Sequence, residues 1–154
     1  MDASYTSNIT EFAIVLAGFS GLVIAIGSKG GKSSPLTKHR TLCLLSFSFA
    51  AAFGSLLPAL ALSFGIPNIW TFSSYGLICI LLVAVIVVYL STRLLLNEEE
   101  RKKLAWYMYI LIYGVNVFLV FLLALMPTAG HFFIALVWQL IVSAILFTRL
   151  ILQS

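Results

Sequence analysis

Five runs of this sequence are each apolar enough and long enough to cross a lipid bilayer, and that excludes most folds for a chain of 154 residues. The first covers residues 9–27, ITEFAIVLAGFSGLVIAIG. The second covers 41–64, the third 74–96, the fourth 104–126 and the fifth 131–152. At about 1.5 Å of helical rise per residue, each run matches a hydrocarbon core about 30 Å thick. Backbone groups in lipid must bond within their own segment or in a closed barrel. No run alternates apolar and polar residues as barrel strands do. The expected fold is therefore all-α: a polytopic membrane helix bundle of five transmembrane helices, forming a single membrane domain over 1–154. Composition agrees, because 62% of the residues are hydrophobic and 9% are charged, against roughly 25% charged in a soluble domain.

Basic residues collect on the side of the membrane from which a helical protein is inserted, the cytoplasm. Lys29, Lys32, Lys38 and Arg40 fall between the first and second runs. Arg93 at the end of the third run, with Arg101, Lys102 and Lys103 after it, marks the connection to the fourth, and Arg149 lies near the C-terminus. With five spans all nine Lys and Arg share one face. This predicts the N-terminus outside and the C-terminus in the cytoplasm. The opening MDASYTSN is acidic, which argues against a cleavable signal peptide. The sequon at Asn8, Ile9 and Thr10 sits almost in the membrane.

GSKGGKSS, residues 27–34, has the look of a phosphate-binding loop. Its spacing is one residue short of the nucleotide-binding pattern, and it leaves a membrane helix instead of a buried strand. It reads as a flexible cytoplasmic turn that binds no nucleotide. Its lysines set topology; the alternative role for Lys29, Lys32, Lys38 and Arg40 is to grip anionic lipid headgroups. In the other basic loop, Asn97 can cap a helix whose first turn holds Glu98, Glu99 and Glu100. The fourth span is thus expected to begin as a short water-exposed helical stub. Pro127 should stop that span, and Thr128 can cap the fifth.

Small residues mark where helices approach closely. Ala13, Ala17, Gly21 and Ala25 recur every fourth position on the first span, beside Gly18. On the second, Ser46, Ala50, Gly54 and Pro58 line one face, while Ala51, Ser55 and Ala59 line the next. A kink is expected at Pro58. The third span is aliphatic from Ile78 to Val88 and should face lipid. Two small-residue faces on the second span, with little chain left to cover both, point to a homo-oligomer.

Few polar side chains lie at depth. Asn116 and Gln139 fall opposite each other in a hairpin that turns at Thr128, where an interhelical hydrogen bond is expected over a ligand or pore role. Glu11 is the one acid within a span. It either snorkels to the outer interface or serves function there, with His131 entering the fifth span at the same level. Cys43 and Cys79 sit at different depths, too far apart for a disulfide, and read as free, buried thiols. The two histidines fall on opposite faces, and no serine or cysteine has a base at its own depth. Nothing suggests a metal site, a cofactor or a catalytic residue. The net charge of +4 follows from topology and does not argue for nucleic acid.

AGFSGLV in the first span, FGSLLPALAL in the second and WQLIVSAILFTRL in the fifth resemble a group of small, functionally uncharacterised bacterial multi-pass membrane proteins. That resemblance implies a bacterial inner-membrane setting and no particular activity. The four-helix glutathione-transferring membrane enzymes are of similar size, but their Arg/Asn/Glu pattern has no counterpart on the second span. The expected function is a homo-oligomeric channel-like or permeability protein without enzymatic activity; the alternative is an accessory or scaffold subunit that binds another membrane protein or lipid. Topology is the first test. A cysteine placed at Ser4 should react with an impermeant thiol reagent added outside, and one placed at Ser154 should not. The reverse labelling pattern would overturn the span count.

Overall fold

A computed structural model describes residues 34–152 continuously, together with Glu11, Ile14, Val15, Gly18 and Gly21. Helix α1, Pro35–Ser63, starts where local chemistry tells it to. The Ser34 side chain accepts from the Thr37 amide at 3.2 Å, and Pro35 fills the first turn, where a missing N–H costs nothing. The helix therefore begins earlier than the apolar run and draws His39 and Arg40 into it. Pro58 lies within α1, buried, and the helix continues through it. Its end is a glycine cap. Gly65 has φ +65°, its amide bonds Leu62 O at 3.1 Å, and the Ile66 amide bonds Ala61 O at 3.0 Å.

Helix α2, Ile69–Leu95, returns antiparallel to α1. The short α3, Glu98–Lys102, follows. The Glu100 carboxylate accepts from the Asn97 amide at 3.1 Å, closing its first turn. Contrary to expectation, α3 is not the start of the fourth span. The chain leaves helical geometry after Lys102, and α4 begins only at Trp106, running to Leu125. Arg101 explains the break. Its Nε and Nη2 donate back to the carbonyls of Thr92 (3.3 Å) and Arg93 (3.1 Å), which pins α3 to the end of α2. After Pro127, the Thr128 hydroxyl accepts from the His131 amide at 3.4 Å, and α5 runs Ala129–Leu152.

The described residues form helices joined by short turns and contain no strand, and four helices (α1, α2, α4 and α5) are long and apolar enough to cross a membrane. The fifth expected span, residues 9–27, lies mostly outside the described residues; its five described positions are helical. The described basic side chains Lys38, Arg40, Arg93, Arg101, Lys102, Lys103 and Arg149 occupy one end of the bundle.

Helix α1 is the hub and packs on both α2 and α5. Ala50, Ala51, Gly54, Ser55 and Pro58 are all buried within the chain, while Ala59 is exposed. Both small-residue faces are thus largely used inside one subunit, which removes the main sequence argument for an oligomer. Helix α2 also departs from expectation. Leu77, Leu81, Ala84 and Val88 face the core, while Leu82, Val83 and Ile86 face outward. An aliphatic run conceals this division, because both the core and lipid accept aliphatic side chains.

The tightest contact is at Gly54. A Cβ there would lie 2.7 Å from Leu77 Cδ1 and 2.9 Å from Leu136 Cδ2, and both leucines are fully buried. Gly54→Ala should therefore cost about 1–3 kcal/mol by overpacking. Gly114→Ala meets nothing within 4 Å on α4 and should be neutral or stabilising by about 0.5–1 kcal/mol. Thermal unfolding of both variants in detergent tests this, and equal melting points would refute the close approach.

Candidate functional site

At the basic end three helices meet around one imidazole. The Ser34 cap places His39 in the first turns of α1, and Cys43 follows one turn later on the same face; both are fully buried. His39 Nδ1 lies 2.8 Å from Ser91 Oγ on α2. Its Nε2 lies 3.3 Å from the Tyr109 hydroxyl on α4. Counting hydrogens assigns the tautomer. A serine hydroxyl carries one proton, and Ser91 donates it to the Val88 carbonyl at 2.8 Å. Ser91 can then only accept from His39, so Nδ1 is protonated. For the neutral ring, Nε2 offers a lone pair to the Tyr109 hydroxyl. The Cys43 sulfur is 3.5 Å from Nε2 and 3.9 Å from Nδ1. Being nearly equidistant from the two nitrogens, it lies over the ring and not on the Nε2 lone pair.

This corrects the expectation that no serine or cysteine has a base at its own depth. His39 is a helical, buried residue and not a loop residue, and the capped extension of α1 is the reason. Chemically the cluster acts as a clamp. It joins α1, α2 and α4 through one ring, and its thiol is neither aligned with the base nor open to solvent. The local signal was Ser34-Pro35, a helix start that places His39 and Cys43 one turn apart.

Tyr109 also belongs to a groove of ≈ 540 Å³ beside the clamp. Helix α2 contributes Val85, Ile86, Tyr89 and Thr92, and α4 contributes Trp106, Tyr109 and Tyr113. Arg101 and Leu104 close the end where α3 turns back. Arg93 lies over the Tyr89 ring, 5.5 Å from its centroid, within cation–π range. The walls are apolar and aromatic, and the Arg101 guanidinium stands at one end.

In mid-bundle, Gln139 Nε2 donates to Asn116 Oδ1 at 2.7 Å, and Asn116 Nδ2 donates to the Ile112 carbonyl at 2.8 Å. Both residues are buried, so the pair ties α4 to α5. Gln139 Oε1 has no hydrogen-bond partner among the described residues. His131 is held locally. Its Nδ1 is 2.9 Å from the Met126 carbonyl, which can only accept, and 2.9 Å from Thr128 Oγ1. Glu11, Gly18 and Gly21 are helical and exposed, and open space surrounds both glycines. Ser46 is half-buried in a second apolar groove between α1 and α2. Cys79 lines that groove and is exposed, not buried as expected, because it points off the outer side of α2. Lys38 is exposed and Arg40 is half-buried, within electrostatic reach of Arg149 and Tyr109. Ala13, Ala17, Ala25, Lys29 and Lys32 lie outside the described residues. Among the described residues no cluster of His, Cys, Asp or Glu could hold a metal ion.

No family model, curated protein or solved structure matches the chain. Its class rests on its own physics: a multi-pass α-helical membrane protein whose described Lys and Arg side chains gather at one end.

Ser91→Ala would leave the His39 Nδ1–H buried without an acceptor, an expected loss of about 1–3 kcal/mol. Ser63→Ala removes a hydroxyl that bonds the Leu60 carbonyl at the exposed end of α1 and should change little. Melting of the two variants in detergent decides the matter; an unaltered Ser91→Ala would mean that the clamp holds nothing.

Proposed function

We propose that this chain works by binding within the bilayer, as an accessory membrane protein for lipid or another membrane protein, and that it neither conducts through its own bundle nor catalyses a reaction. The observation that supports this is the filled interior. Leu77, Leu81, Leu119, Leu123, Phe132 and Leu136 form one buried core, and Leu44, Phe47, Val88, Val142 and Leu146 form another towards the basic end. The mid-bundle amides meet each other. What remains available is the outside: an aromatic groove with Arg101 at one end and an apolar groove between α1 and α2. The five-span topology, the cytoplasmic placement of the basic end and the bacterial inner-membrane setting belong to the same proposal.

A homo-oligomeric permeability protein is the second reading. Gly18 and Gly21 favour it, since open space around them would admit a partner helix. Reconstitution separates the two. Liposomes containing only this protein should release a trapped ion no faster than empty liposomes. Flux that rises with the protein-to-lipid ratio would favour the oligomeric pore and overturn the binding reading.

A further inference from the structure

We infer that the groove between α2 and α4 is a binding site for an anionic phospholipid, one acyl chain lying along the groove and the headgroup phosphate held by Arg101. The inference rests on the reading of the protein as a binder and names its ligand. Three properties of the groove converge on it.

The first is size and orientation. From Thr92 to Val85, α2 covers about 10 Å at about 1.5 Å per residue. That is about two-thirds of the depth of one hydrocarbon leaflet, roughly half of a 30 Å core. Both walls are helices long enough to cross the membrane, so the groove runs with the acyl chains and opens sideways to them. The second is lining. Val85, Ile86 and Leu104 are aliphatic, while Tyr89, Trp106 and Tyr109 are aromatic. Trp106 is 70% exposed, which suits a side chain at the membrane–water boundary.

The third is charge, and it selects among lipids. Arg101 donates to the Thr92 and Arg93 carbonyls through Nε and Nη2. A guanidinium has five N–H groups in a rigid fork, so further donors remain for a phosphate. Those two backbone bonds hold the fork in place, which lessens the ordering cost of gripping an anion. Arg93, over the Tyr89 ring, adds a second positive charge beside the same wall. A zwitterionic lipid would bring its own cation to this site and lose much of the attraction.

The experiment is native mass spectrometry of the full chain, released from nanodiscs of phosphatidylcholine containing equal amounts of phosphatidylglycerol. One retained phosphatidylglycerol per chain is expected, in preference to phosphatidylcholine. Arg101→Gln should reduce that preference roughly tenfold, as expected for loss of a charge-assisted contact. Ile86→Trp fills the groove from its exposed wall, Ile86 being 55% exposed, and should abolish retention of both lipids. If Arg101→Gln does not fold, Ile86→Trp decides alone. Equal retention of the two lipids by the native chain, or undiminished retention in Ile86→Trp, overturns the lipid site. The binding reading falls separately, only if the liposome measurement shows flux.

Discussion

Within a bilayer, apolar side chains gain little by leaving lipid for one another, so helices hold together through close van der Waals contact and a few hydrogen bonds. Helix α1 meets that constraint. Gly54 admits Leu77 from α2 on one side and Leu136 from α5 on the other, so closely that a Cβ at this position would require those leucine side chains to shift. Ala50 and Ala51, one turn earlier, are nearly or fully buried for the same reason. The bundle is arranged around this seam. Helix α4 has less contact with α1 than α2 and α5 have, and the buried Asn116–Gln139 bond helps to hold it to α5. In lipid such a bond is worth about 0.6–2 kcal/mol, and it is directional, so it also sets the register of the α4–α5 hairpin.

The basic end is organised differently, by polar contacts between elements distant in sequence. His39 joins α1 to α2 through Ser91 and to α4 through Tyr109. Arg101 folds α3 onto the last carbonyls of α2, where the helix dipole favours a positive charge. Both features border the groove, which Tyr109 and Arg101 line. Tyr109 belongs to both the clamp and the groove wall, so an occupant of the groove would touch a residue that also holds the helices together. In the proposed lipid site, Arg101 is the positively charged pole and the aromatic and aliphatic wall is the apolar one.

How far the site was legible in the sequence depended on the kind of contact. The Asn116–Gln139 pairing could be read from hairpin geometry, since one turn at Thr128 relates the two positions by counting. The His39 clamp could not. It joins residues 39, 91 and 109, and no periodicity relates those numbers. Its one local trace, the Ser34-Pro35 helix start, closes a glycine-rich stretch that has the composition of a turn. Cys79 looked buried because its neighbours are aliphatic, yet in a membrane an aliphatic neighbourhood describes the lipid-facing side equally well.

The sequence alone determined that this is a helical membrane chain, where its apolar runs fall and which loops carry positive charge. Those are properties of single segments in a solvent that tolerates no unpaired backbone. Only the tertiary structure decided which faces meet. It turned the small residues of α1 inward, and so left the case for an oligomer resting on the first span. It buried His39 and formed an apolar groove ending at Arg101. The physical reason is that hydropathy separates lipid from water but does not separate lipid from a neighbouring helix. That second division is set by shape and by a handful of directed hydrogen bonds, and both exist only once the helices are packed.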